Sequence, residues 1–178
     1  MSVIINHCNE IYSGRIFNMV RENVTLKNGV TIDIDTIHHP GASAIVPIDE
    51  NNRVVMIRQY RHAMGRYIWE IPAGTLNMGE EPLECAKREL IEETGFSGHQ
   101  WEKLGEITPV PGYSDERIHI FLATKIKAAV QNLDADEILD VHEILIYDAV
   151  SMIEQGKIQD SKTICGLFMA LHKLEKTI

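Results

Sequence analysis

The chain has 178 residues and a formal net charge of −9, from 17 Lys+Arg against 26 Asp+Glu, with 44% apolar residues. That length holds one domain, or one domain with a small appendage, and the composition is too apolar for a disordered chain. The acidity excludes a nucleic-acid groove and an anionic membrane surface, both of which need clustered positive charge, so neither nucleic acid nor membrane is expected as a partner. Met1–Glu10 has no basic and apolar leader pattern, and apolar runs such as Val54–Ile57 fall far short of the roughly 20 residues of a membrane span. Cys8, Cys85 and Cys165 are widely spaced and form no CxxC pair. They read as reduced thiols of a cytoplasmic protein, not as a disulfide framework or a zinc site.

In chain order, the first 40 residues differ in texture from the rest. Val24–Ile34 is two alternating runs around Asn28-Gly29, the strongest short hairpin signal. A sheet of two or three strands is marginal alone, so it must pack on the main domain or on another subunit. From Ala42 onward, Ala44–Ile48 and Arg53–Arg58 read as strands around the turn Asp49–Asn52. Trp69–Pro72 reads as a short strand feeding the loop Ala73–Gly79. Pro82–Thr94 reads as a helix, with Pro82 at its first position and Gly95 just past its end. Glu102–Ile107, Arg117–Ala123 and Glu143–Tyr147 read as strands, with the dense acid of Asp134–Asp140 as a solvated loop or helix start. Ala149–Gln155 and Ser161–Glu175 read as helices, the last with an apolar stripe at Ile164, Leu167, Phe168, Leu171 and Leu174. Intermingled strands and helices give a mixed α/β or α+β class.

The helix Pro82–Thr94 carries the chemistry. Glu89, Glu92 and Glu93 stand at i, i+3 and i+4 and share one face. Like charges at that spacing cost roughly 0.2–0.5 kcal/mol per pair, and the helix C-terminus adds further repulsion. Something cationic must offset this. Clustered carboxylates suit Mg²⁺ or Mn²⁺, which share their coordination shell with water and phosphate. Arg88 is placed to hold the glutamates by charge-assisted hydrogen bonds. Most Glu-rich helices are merely solvated faces, but here the wider spacing G-x5-E-x7-R-E-U-x-E-E-x-G-U, with U apolar, is met from Gly74 to Phe96. Its seven fixed residues match by chance on the order of 10⁻⁹ times per start position.

This segment resembles the Nudix box of hydrolases that cleave nucleoside diphosphates linked to another moiety. The resemblance extends to Ile11–Arg15, Leu26–Gly29, His39–Ala42, Arg58–Arg61, Trp69–Gly74, Pro109–Glu116 and Gly156–Thr163, which look like the ADP-ribose pyrophosphatase branch. It implies a Nudix α/β/α sandwich with a mixed sheet (residues 41–178), plus a small N-terminal antiparallel β-sheet subdomain (residues 1–40). In that branch the subdomain forms a homodimer and reaches the partner's site. The resemblance further implies Mg²⁺, with Mn²⁺ as substitute, held by Glu89, Glu93, the Ala73 carbonyl and Glu116, with Glu80 bridged through water. Glu116 or Glu92 would take the proton from the attacking water. Arg61, and less strongly Arg58, Glu70 and Tyr113, would contact substrate. The implied reaction converts ADP-ribose, or a similar ADP-sugar, to AMP and ribose 5-phosphate.

One departure bears on specificity. Some members of the branch stack adenine on a tryptophan of the N-terminal sheet, whereas Thr31–Ile37 has no aromatic residue. Tyr12, Phe17 and Tyr113 are the alternatives. Tyr113, seventeen residues past Phe96, also admits a dinucleoside polyphosphate, and GDP-mannose or ADP-glucose are further nucleotide sugars in range. A non-catalytic nucleotide-sugar sensor is disfavoured by the complete set of Glu89, Glu92, Glu93 and Glu116. Glu70 is equally an ion-pair partner, and His38-His39, without a ligand at metal spacing, reads as a turn or interface pair. Cys85 lacks an activating neighbour and reads as structural.

Overall fold

The computed structural model describes residues 3–133 and 137–176. The expected N-terminal sheet is present with three antiparallel strands, β1 (Ile4–Ser13), β2 (Asn18–Thr25) and β3 (Thr31–His38). Asn28 Oδ1 accepts from Val30 N at 3.1 Å in the β2–β3 turn, where Gly29 adopts φ +84°. Polar cross-strand pairs tie the ladder, among them Arg21 bidentate on Asp35 at 2.7 and 2.8 Å and Asn23 on Asp33 at 2.6 Å. Every residue of β1 is exposed, so this sheet buries little of its own apolar surface in one chain.

The rest is layered. A mixed sheet has the order β7 (Ala73–Thr75), β4 (Ala42–Pro47), β10 (Ile118–Thr124), β9 (Gln100–Ile107), with β4 and β10 parallel. A second sheet, β12 (Leu139–Leu145), β5 (Arg53–Arg61), β6 (Arg66–Glu70), is antiparallel throughout. A short ladder joins β8 (Phe96–Ser97) to β11 (Lys127–Ala128). Helix α1 (Pro82–Thr94) seats Ala86 and Leu90 against Ile45, Phe121 and Ala123. Helices α2 (Ile146–Glu154) and α3 (Ser161–Glu175) seat Ile146, Ala149, Leu167 and Ala170 in the other core, with Ala44, Val46, Ile120 and Leu122. Alternate β4 residues thus enter opposite cores and the whole strand is buried, as a strand covered on both faces requires. Full burial of a residue such as Leu90 or Leu167 stabilises by roughly 1.5–3 kcal/mol.

Two boundaries differ from the sequence reading. The expected strand Glu143–Tyr147 is the end of β12, and α2 begins at Ile146. The apolar run Ile144–Tyr147 fits either period. Tertiary packing decides, because Ile146 and Ala149, spaced i and i+3, are both buried. The strand expected at Trp69–Pro72 begins earlier, at Arg66, because its register along β5 runs from Arg61↔Arg66 to Ile57↔Glu70. Asp134–Asp136 of the expected acidic loop lie outside the described residues, while Leu139 and Asp140 open β12. Among the described residues no helix is long and apolar enough to cross a membrane.

Candidate active site

The site forms where α1 lies against β7. Ser43 Oγ donates to Pro82 O at 2.7 Å and fixes the start of α1. Gly95 at φ +70° donates to Ile91 O and ends it. Between these stops, Glu89 and Glu93 turn inward, at 8% and 2% exposure. Ala73 N donates to Glu93 Oε2 at 2.8 Å. The Glu89 carboxylate occupies the space where a Cβ on Gly74 would stand, so glycine is required there for close approach. Cys85 is buried beneath the same strand, and burial pushes its thiol up to about 11, leaving no thiolate for catalysis.

Arg88 organises the remaining carboxylates. Its Nε and Nη2 donate to Glu80 at 2.8 and 2.9 Å, and Nη1 donates to Glu89 Oε1 at 2.5 Å and to Glu92 Oε2 at 3.0 Å. The Arg88 fork holds Glu80 down at about 2. By contrast, burial raises Glu93 to about 8 and also raises Glu89. One guanidinium therefore bonds Glu80, Glu89 and Glu92 but not Glu93. Replacing Arg88 by Met is expected to cost roughly 2–3 kcal/mol, from lost charged hydrogen bonds and released repulsion. That corresponds to a Tm lower by about 4–12 °C for a domain of this size, and added Mg²⁺ restores part of it. A thermal melt with and without metal checks this. The Arg88–Glu80 contribution is present above pH 4.5 and lost as pH falls toward 2, because the folded state lowers that carboxyl's pKa.

The opposite wall comes from β5, β6 and the start of α3. Arg61 donates twice to Glu70, at 2.7 and 3.0 Å, and Lys162 Nζ donates to the same carboxylate. Glu70 is 2% exposed, so two cations balance a buried charge. Burial opposes the Arg61 charge, yet the Glu70 pairing leaves its pKa raised. Asp160 caps α3 by accepting from Thr163 N at 3.0 Å, and Thr163 Oγ1 accepts from Ile71 N at 2.9 Å. The helix start is thereby locked to the segment that leads into β7.

Two clefts, of about 600 and 650 Å³, meet at Arg61 and Ala73–Thr75. The second is lined by Arg88, Glu89, Glu92 and Glu93, and the first by Glu70, Glu116, Lys162, Arg66 and Tyr67. Glu116 therefore faces the neighbouring cleft and not the one that holds the box acids. Arg58 and Tyr113 line neither. On β5, alternation turns Gln59 and Arg61 into the clefts and Arg58 outward, where its guanidinium sits 5.5 Å above the Tyr67 ring. Tyr113 is 57% exposed on the loop before β10. Sequence reasoning passed over Gln59 and Lys162. Alternation along β5 could have found Gln59, which is 6% exposed and whose Oε1 has no partner among the described residues. Lys162 pairs locally with Asp160 at 3.0 Å, but Glu70, the partner that places it at the site, is 92 residues away.

Among the described residues no three His, Cys, Asp or Glu side chains already close into a cage. Mg²⁺ needs only one or two carboxylates beside water and phosphate. Glu89 and Glu93, hard oxygen donors with raised pKa values beside the Ala73 backbone, fit such an ion, which would favour their ionised forms.

A family model described as the NUDIX domain matches residues 37–166. The chain belongs to the NUDIX family. Its relatives include a methanol dehydrogenase activator of Bacillus methanolicus, 40% identical over 160 residues, covering 89% of this chain and 86% of that protein. They also include an ADP-ribose pyrophosphatase of Bacillus subtilis (strain 168), 36% identical over 156 residues, covering 86% and 84%. A solved ADP compounds hydrolase shares the fold with TM-score 0.88 at 21% identity, over 99% of this chain and 96% of that one. The protein is thus a NUDIX hydrolase of the ADP-ribose pyrophosphatase type, and divalent metal is general to NUDIX hydrolases.

Proposed function

We propose that the protein is a cytoplasmic, Mg²⁺-dependent hydrolase of the pyrophosphate bond of ADP-ribose or a similar ADP-sugar, yielding AMP and ribose 5-phosphate. The observation that carries this reading is the pair Glu89 and Glu93, buried against β7 with raised pKa values, beside the Arg61 wall. Glu89, Glu93 and the Ala73 carbonyl would hold the cation, with Glu116 as a further ligand offered from the adjoining cleft, and Mn²⁺ could substitute. Such a cation, when bound, would lower the pKa of a water and offset the charge of the pyrophosphate. Arg61, fixed by Glu70, orients the pyrophosphate. Water oxygen bonds to phosphorus, the bridging P–O bond breaks, and the leaving phosphate departs with that oxygen. Glu116 takes the water proton. Glu92 is the weaker candidate, because Arg88 already occupies one of its oxygens. Tyr113 and Arg58 contact substrate only if loop or partner residues bring it to them.

Residues 1–40 act as a dimerisation arm on a hydrolase domain of residues 41–178. The fully exposed β1, with Ile4, Ile5, Ile11 and Tyr12 at 48–59% exposure, supports a homodimer through this sheet and its contact with the partner's substrate.

A phosphate-release panel over ADP-ribose, ADP-glucose, GDP-mannose and diadenosine polyphosphates tests the substrate. ADP-ribose is expected to give the highest kcat/KM, and a tenfold preference for a guanosine sugar or a polyphosphate contradicts the reading. The relative named as a methanol dehydrogenase activator favours a second reading, in which the chain activates a dehydrogenase. Adding the protein to such an enzyme and following its turnover separates the two.

A further inference from the structure

The segment between β9 and β10 carries Glu116 and has no helix or strand of its own. A segment of that kind samples many conformations unless its backbone is tied down. Here the end of β3 ties it. Ile37 N donates to Tyr113 O at 2.8 Å and Asp115 N donates back to Ile37 O at 3.1 Å, a one-residue parallel bridge to Ser114. Asp115 then takes His39 N at 2.9 Å on one carboxylate oxygen and His38 Nδ1 at 2.6 Å on the other. Glu116 N is held by Ser114 Oγ at 3.2 Å. His39 Nδ1 lies 3.8 Å from Glu116 Oε1 but already accepts from Gly41 N at 3.0 Å, so its imidazole packs beside Glu116 without donating to it.

We propose that Asp115, clasped by His38 and the His39 backbone, is a positioning residue that fixes Glu116, and that β3 thereby belongs to the site as well as to the N-terminal sheet. This rests on the role given to Glu116 above. An exposed histidine–aspartate pair alone is worth little. Asp115 differs because it makes three hydrogen bonds to the end of β3 itself, with Ile37 O, His39 N and His38 Nδ1, and the residue beside it is the proton acceptor. Misplacing a reacting group by about 1 Å can cost on the order of 100-fold in rate.

The test is kinetic, on the full chain with Mg²⁺ and ADP-ribose. Asp115→Ala is expected to lower kcat about 10- to 100-fold while KM moves less than about threefold. Made in a Glu116→Gln background, it lowers kcat no further, since both changes act through one group. His38→Asn keeps a donor near the Nδ1 position and retains activity, whereas His38→Leu loses several-fold. Both His38 variants lie at a half-exposed site and report even if Asp115→Ala does not fold. Equal losses from Asp115→Ala in the two backgrounds, or equal activity of the two His38 variants, overturn the clamp and leave the hydrolase reading standing. A fully active Glu116→Gln enzyme instead overturns the role of Glu116, and the clamp with it.

Discussion

Glu93→Gln is expected to abolish most of the hydrolysis, with kcat lower by about 100-fold or more, while the protein stays folded. Several kcal/mol of transition-state stabilisation depend on the cation, and each 1.36 kcal/mol is tenfold in rate. The glutamine oxygen can still accept from Ala73 N, which reaches Glu93 at 2.8 Å, so the contact between α1 and β7 survives. Stability then moves opposite to activity. Burial raises the folded-state pKa of Glu93 from 4.5 to about 8. The folded protein therefore holds a proton that the unfolded chain has released, and metal-free stability falls as pH rises between those values. The variant carries no such group, so its metal-free melting profile loses that part of the slope. Melts in EDTA across the same window, beside a steady-state assay, check both halves. A loss in kcat of less than tenfold contradicts the metal role of Glu93.

The second large effect is at a residue with no side chain. A Cβ at position 74 falls inside the Glu89 carboxylate. The obstructing group is the far end of a flexible side chain, so the fold can yield by swinging Glu89 outward. The cost lands on the site. Glu89 leaves its place beside β7 and strains its hydrogen bond to Arg88 Nη1, now 2.5 Å. Gly74→Ala is expected to lower kcat/KM on the order of 100-fold, as a misplaced reacting group does, with Tm shifted by only a few degrees. Mg²⁺ titration in a thermal-shift assay should show weakened metal stabilisation. Undiminished activity contradicts the close packing of Glu89 on Gly74.

How much of this could be read from the sequence depended on where the information lay. Helix α1 runs from Pro82 to Thr94 as expected because proline and glycine punctuate it locally. The grip of Arg88 on Glu92 follows from their i,i+4 spacing on one helix, whereas its bond to the adjacent Glu89 does not. The β12–α2 boundary was misread because four apolar residues fit both periods. Gln59 and Lys162 escaped notice because their surroundings exist only once distant strands and helices assemble. Arg58 shares a motif with Arg61 and is the weaker candidate from sequence, and the pleat sends the two to opposite faces. The clasp on Asp115 joins residues 77 apart and has no local signature.

If the buried box carboxylates serve a divalent cation in pyrophosphate hydrolysis, metal decides turnover. ADP-ribose is followed by ³¹P NMR with the purified protein in Mg²⁺, then after EDTA. AMP and ribose 5-phosphate are expected in equal amounts with Mg²⁺, with no conversion after chelation. Conversion that persists in EDTA, or none with Mg²⁺ or Mn²⁺, contradicts it.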